Sequence, residues 1–179
     1  MKEKAQKLNL GCGDNIRPGW INLDIKKLPG VDVICDIEQG NLPFCDEAFD
    51  EIWAEGILEH IEYIPVVKEL HRVLKTGGFV TIIVPHFTSR YNFIDPTHKK
   101  VFSFQTFEFF TSGNRRDYYF DFHFSEVSET KIVFETKQLP FNFLIEPLVN
   151  LHYRIKQIYE ATFLCRFFPA AAIIVKLIK

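Results

Sequence analysis

Leu8-Asn9-Leu10-Gly11-Cys12-Gly13-Asp14-Asn15 is the stretch on which the fold turns. A short apolar run that stops in two glycines one residue apart reads as a β-strand ending in a tight turn. Two more β-type runs follow, at residues 21–25 and 31–35, and each ends in or beside an acid, Asp24 and Asp36. A fourth candidate strand covers residues 51–54, after the turn-like Asp46-Glu47. Pro65 fits a first helical position, and Val66, Val67, Leu70, Val73 and Leu74 recur at helical spacing until Gly77-Gly78. Residues 79–84 make a fifth strand, stopped by Pro85. Strands alternating with a helix specify an α/β fold with a mainly parallel sheet, whose ligands sit at the carboxyl ends of the strands. That rule places the site near Gly11, Asp24, Asp36, Glu55 and His86.

The spacing narrows the ligand. A dinucleotide site wants a third glycine where Ile16 stands and a helix N-terminus facing the pyrophosphate. Asp14 follows the second glycine, where a carboxylate repels a diphosphate and suits a cationic ligand. Nine residues, Cys12 to Trp20, separate the first two strands and five, 26–30, the next two. A parallel crossover usually needs about a dozen. The first two crossovers are therefore loops or single turns, and the sheet face they leave bare needs another cover, for which the C-terminal helix or a second copy in a homodimer is available.

Beyond His86 the composition changes. The chain has 179 residues and 19 phenylalanines, and 16 of those lie past residue 86. Residues 103–110 read as a short helix capped by Ser103, 118–124 as a strand by their alternation, and 131–136 as its hairpin partner. A longer helix from Pro147 sets Leu148, Leu151, Ile155, Ile158 and Phe163 on one face, and 170–178 read as a last buried strand. The division expected is one domain over 1–179: a ligand-binding half at 8–85, an aromatic-rich elaboration at 86–169, and a final strand at 170–178. The aromatic excess has three readings: core filling, a lid over residues 86–125 lining an apolar pocket, or a helix at 147–165 resting on a membrane or partner.

Composition excludes several classes. A formal net charge of −2 gives no basic field for neutralising phosphates, so no nucleic-acid partner is expected. No run of 18 apolar residues spans a membrane, and the start lacks a signal-type apolar stretch, so the expected location is cytoplasmic. Cys12, Cys35, Cys45 and Cys165 lack the paired spacing of a zinc or redox motif and read as reduced thiols; no metal is expected.

Taken in order, LNLGCGDN (8–15), INLDI (21–25), CDIEQGNLPF (35–44), FDEIWAEGILEHI (49–61) and ELHRVLKTGGFVTIIVP (69–85) resemble the class I S-adenosylmethionine-dependent methyltransferases of the small Rossmann-like type. The resemblance covers residues 8 to 85. It implies a Rossmann-like, mainly parallel sheet, here with shortened first two crossovers and an aromatic-rich C-terminal elaboration. It further implies S-adenosylmethionine as cofactor, with Gly11 and Gly13 by its methionine part, Asp24 on the ribose, Asp36 by the adenine, and Glu55 and Gly56 flanking the sulfonium. The bare chemistry agrees at Asp24, because a carboxylate accepts both hydroxyls of a ribose diol in charge-assisted bonds.

Methyl transfer asks mainly for placement, plus a base where the acceptor is a hydroxyl. His86, Asp95 and His98 stand where the acceptor side falls. A competing reading makes Asp95-Pro96-Thr97-His98 a hydrogen-bonded turn. Glu59 and His60 read as packing or helix-start residues and stay outside the site. The expected function is methyl transfer to an unidentified small molecule. The alternatives are a non-catalytic S-adenosylmethionine or nucleoside-binding module with a regulatory or assembly role, and, disfavoured by Ile16, a nicotinamide-dependent oxidoreductase.

Overall fold

A computed structural model describes residues 6–179. Its strands are β1 (Lys7–Leu10), β2 (Ile21–Asp24), β3 (Val33–Ile34), β4 (Phe49–Glu55), β5 (Leu74–Pro85), β6 (Glu126–Val133) and β7 (Ala172–Ile178). They form one seven-stranded sheet in the order β3-β2-β1-β4-β5-β7-β6. β7 runs antiparallel to both its neighbours, and the pairs from β3 to β5 are parallel. The last strand thus inserts between β5 and β6 and ties the aromatic half to the sheet of the first half.

The helices are α1 (Tyr63–Val73), α2 (Tyr91–Ile94), α3 (Asn142–Asn150), α4 (Tyr153–Ala161) and α5 (Leu164–Phe167). α1 forms because Val66, Val67, Leu70 and Val73 fall on one buried stripe. Pro65 lies in its first turn, where the missing N–H has no intrahelical partner to lose. On the sheet face that α1 shares, Leu8, Leu10, Leu23, Ile52, Val80, Ile82, Val175 and Leu177 are all buried.

The other face is built differently. Lys7, Glu51, Trp53, Phe79, Thr81 and Lys176 share it by register and are only half-buried. Cations cover its rings: the Arg17 guanidinium lies 3.8 Å from the Trp53 ring centre and the Lys176 ammonium 3.7 Å from that of Phe79. No helix occurs between β1 and β2 or between β2 and β3 among the described residues. The first crossover loop is instead held to the sheet by two buried asparagines. Asn9 Nδ2 donates to Asn15 O at 2.8 Å and to Asn22 Oδ1 at 2.9 Å, and Asn22 Oδ1 also accepts the Arg17 N–H at 2.9 Å. Side-chain amides so replace the hydrogen bonds and contacts that a crossover helix would bring.

Several expected elements come out differently. α1 ends at Val73, four residues before Gly77, and β5 starts at once; residues 75–78 bulge out of the ladder, since Phe49 pairs with Leu74 while Glu51 pairs with Phe79. Gly78 is needed there because a Cβ would come within 3.0 Å of Asp50 O. Residues 118–124 are not a strand and do not pair with residues 131–136. Asp117–Tyr119 is a 3-10 turn, and Phe124 makes only an isolated bridge to Thr111. The alternation there records one-sided aromatic packing, with Phe122 and Phe124 buried around Phe110 while Tyr118 and Tyr119 face solvent. Ser103 does not cap a helix; the 3-10 turn Thr106–Phe110 follows Gln105, and the Ser103 hydroxyl donates to Glu160 instead.

The single helix expected from Pro147 is three helices. Pro147 lies inside α3, and His152 caps α4 by accepting the Arg154 N–H at 3.1 Å. Leu148, Leu151, Ile158 and Phe163 therefore stay exposed and make no common buried face. α3 guards the outer edge of the sheet: Asn150 bonds both the N–H and the C=O of Ile132, and Glu146 accepts the Phe134 N–H. Core filling accounts for Phe102, Phe104, Phe107, Phe110, Phe122 and Phe124, all buried, with Tyr63 of α1 in edge contact with three of them.

Candidate functional site

The carboxyl ends of β1, β2 and β4 converge on one crevice. Gly11 leaves β1 at φ +62, and a Cβ on it would stand 2.7 Å from Ile57 Cγ1, so only glycine lets the turn and the β4 end approach this closely. Gly13 (φ +50) donates its N–H to Asp24 Oδ2 at 2.8 Å, while Asp24 Oδ1 accepts from the Lys26 N–H at 2.8 Å. Each oxygen keeps a further lone pair, so the carboxylate is oriented and still able to accept two hydroxyls. Asp36 caps the 3-10 turn Ile37–Gln39 through the Glu38 N–H at 3.1 Å. Gly11, Asp24, Asp36, Ile25, Ile37 and Ile57 line one cavity of about 90 Å³. Its acids at one side and branched apolar walls suit a nucleoside.

Glu55 and Gly56 line a second cavity of about 250 Å³ together with Glu59, Tyr91 and His98. Glu55 accepts the Trp53 indole N–H at 2.9 Å, and Gly56 has φ +65. Through Tyr91 and His98 the 91–100 segment walls one side of this cavity, latched to the 3-10 turn Leu58–His60 because the Lys99 and Lys100 N–H groups both donate to Glu59 O, at 2.7 and 3.1 Å. Asp95 accepts the Thr97 N–H at 2.8 Å and its hydroxyl at 2.6 Å. Those bonds hold its carboxyl below the usual range. The segment is therefore the hydrogen-bonded turn read as one alternative, and it also carries His98 to the cavity.

His86 does not face this crevice. It is fully buried, with Nδ1 2.7 Å from Thr88 Oγ1 and Nε2 3.0 Å from Glu160 Oε1. Both nitrogens are spent on the core, which corrects the expectation that it serves the acceptor. The His86 backbone carbonyl accepts from Asn92 Nδ2 at 2.7 Å and so anchors the start of the 91–100 segment.

Glu59 and His60, read as packing residues in the sequence, lie against His98. The His60 and His98 ring centres are 4.6 Å apart, edge to face. Burial pushes the Glu59 carboxyl up to about 7, and burial followed by the neighbouring His60 lowers the His98 imidazole. An acid followed directly by histidine, just past the β4 end and before a helix, was the available signal.

An open sheet with this strand order, one antiparallel strand beside β5, and a cavity at the carboxyl ends of β1 and β2 defines a Rossmann-like α/β protein. The family described as a methyltransferase domain matches residues 12–82. A solved S-adenosylmethionine-dependent methyltransferase from Archaeoglobus fulgidus superposes with a TM-score of 0.63 at 20% identity, over 99% of this chain and 87% of that one. The YcgJ protein from Bacillus subtilis superposes with a TM-score of 0.62 at 16% identity, over 98% and 92% of the two chains. An uncharacterised protein of Methanocaldococcus jannaschii is 36% identical over 44 residues, 25% of this chain and 20% of that protein's length. The chain has the class I S-adenosylmethionine-dependent methyltransferase fold. Among the described residues no helix is long and apolar enough to cross a membrane.

Proposed function

We propose that the protein transfers the methyl group of S-adenosylmethionine to a small-molecule acceptor. The observation that carries this reading is Asp24, held by two backbone N–H groups at the tip of β2 beside the Gly11 turn, with a lone pair left on each oxygen for the hydroxyls of a ribose diol. S-adenosylmethionine supplies, when bound, an activated methyl group on a sulfonium. Ile25, Ile37 and Ile57 would cover the adenine, with Asp36 at its edge, and Gly11 and Gly13 would leave room for the methionine end. Glu55 and Gly56 would border the reacting end, and the 91–100 wall would exclude water from it.

Two features support a small acceptor. A cavity of about 400 Å³, lined by Ser89, Arg90, Tyr91, Gln138 and Leu139 among others, shares Tyr91 with the Glu55 cavity and has the size of a small-molecule site. The net charge of −2 speaks against nucleic acid. We place the protein in the cytoplasm, in keeping with four free cysteines.

S-adenosylhomocysteine is expected to raise the melting temperature, and Asp24→Ala to remove most of that rise; an unmoved intact protein at millimolar ligand refutes the cofactor assignment. Transfer of labelled methyl from S-adenosylmethionine to an acceptor mixture then separates an enzyme from a non-catalytic binding module.

A further inference from the structure

We propose that Glu59, His60 and His98 form a binding site for a divalent first-row transition cation of zinc type, with an open position facing the acceptor cavity. One donor atom from each of the three lies within 4.8 Å of the others. Donors around such an ion, bound at about 2.1 Å, lie roughly 3 to 4 Å apart, so the cluster needs to close by about 1 Å. Two imidazoles and one carboxylate make a donor set that suits zinc and its first-row neighbours over magnesium or calcium.

Independent features point to a missing ligand. Glu59 is 2% exposed, and its Oε2 is buried with no hydrogen-bond partner. His98 Nδ1 is likewise buried and unpartnered, in a side chain 9% exposed. Buried polar atoms are nearly always satisfied, and both of these belong to the same cluster.

The surroundings of His60 resemble the outer shell of a metal site. Thr97 has a single hydroxyl proton and gives it to Asp95 Oδ1 at 2.6 Å. Toward His60 Nδ1, 2.8 Å away, its oxygen must then accept. That fixes the Nδ1–H tautomer of His60 and leaves its Nε2 lone pair for a ligand, an arrangement of carboxylate, hydroxyl and imidazole that orients a metal-binding histidine. The two lysines that follow His98 in the chain are engaged elsewhere, Lys99 with Glu38 and Lys100 with Glu62, each at 2.7 Å. Glu59 and His98 line the same cavity as Glu55, Gly56 and Tyr91.

With one carboxylate against two positive charges, the occupied site keeps a net charge of +1 and favours an anionic oxygen at its open position. The acceptor class this indicates is a hydroxyl or phenol, whose proton passes to solvent at lower pH when the oxygen is metal-bound. That acceptor role rests on the methyl-transfer reading above, whereas the cation site does not.

The test is a titration of chelator-stripped full-length protein with Co²⁺, read by its visible absorption bands, with Zn²⁺ as competitor. The expected result is one Co²⁺ per chain, displaced by Zn²⁺. Glu59→Gln and His98→Ala should each weaken binding by more than the roughly 10–100-fold expected for the outer-shell change Thr97→Val, and His152→Ala should leave it unchanged. Absence of stoichiometric Co²⁺ bands in the intact protein overturns the proposal, as does equal binding by Glu59→Gln, an isosteric change that keeps the fold testable if His98→Ala does not fold. The S-adenosylhomocysteine melting shift, measured on the same samples, separates the two claims: Co²⁺ bands without that shift remove the cofactor reading alone, and the shift without the bands removes the metal site alone.

Discussion

Asn22→Ala probes how a loop stands in for the first crossover helix. The Asn22 Oδ1 accepts from Asn9 Nδ2 and from the Arg17 N–H, both at 2.9 Å. Its two amide hydrogens are shared among Arg17 O, Trp20 O and Asp32 Oδ2 at 3.2, 3.3 and 3.2 Å. The two short bonds are worth about 1 kcal/mol each, and the Arg17 N–H left without its acceptor costs about 1–3 kcal/mol more unless water reaches it, so the expected loss is about 2–5 kcal/mol. At about 2–4 °C per kcal/mol for a chain of this size, the melting temperature should drop by about 4–20 °C. Urea unfolding followed by far-ultraviolet circular dichroism measures the free energy, and the melting shift produced by S-adenosylhomocysteine supplies a second readout. That shift should shrink, because the loop so anchored carries Gly13, which bonds Asp24. A loss below about 0.5 kcal/mol, the range of ordinary surface substitutions, would refute the claim that these amides replace the helix.

Gly11→Ala combines a left-handed φ of +62 with a Cβ 2.7 Å from Ile57 Cγ1. The expected outcome is a melting temperature lowered by several degrees and weakened S-adenosylhomocysteine binding by calorimetry, with Ile57→Ala in the double variant restoring part of the melting temperature. Glu69 supplies the pH dependence. Its carboxyl is held below the ordinary glutamate value by its bond to Arg72 and also accepts the Leu42 N–H. A lowered folded value means that the stabilisation is fully present above the unfolded value of about 4.3 and is lost as pH falls through the folded one. Glu69→Gln should therefore be less stable than the parent at pH 7, with the gap closing toward pH 3 in urea titrations, and a gap independent of pH would contradict the assignment.

The sequence was most readable where meaning is local. Gly11, Asp24 and Asp36 stand at strand ends, and strand ends in a parallel sheet are where ligands bind, so short runs of β-type residues sufficed to mark them. α1 was legible for the same reason, through the stripe Val66, Val67, Leu70 and Val73. What escaped depends on partners far along the chain. Nothing near His86 announces that Glu160, 74 residues on, takes its Nε2 and removes it from the acceptor side. Nothing near His60 announces Thr97, 37 residues on, whose wall turns a helix-start dipeptide into part of a cavity. Residues 118–124 show the converse error: alternation is the signature of a pleated strand, yet packing rings on one side of an irregular segment produces it as well.

The trimmed crossovers have a consequence for how the site is held. In an open sheet of this kind a helix after each strand fixes the loop that precedes it, and here the loops after β1 and β2 have no such helix among the described residues. Rigidity at Gly11 and Gly13 must then come from beneath, through Asn9 and Asn22 on the half-buried sheet face, and from the side, through Asp24. The acceptor side is fastened differently, by His86 and Glu160 in the core and by the latch of Lys99 and Lys100 onto Glu59 O. These two fastenings share no hydrogen bond, so substitutions in one should add to substitutions in the other. Asn22→Ala combined with Glu160→Gln should lose the sum of the single losses to within about 0.5 kcal/mol, as distant sites without shared partners do. A larger coupling in the double-mutant cycle would show that the two sides of the crevice fold as one unit after all.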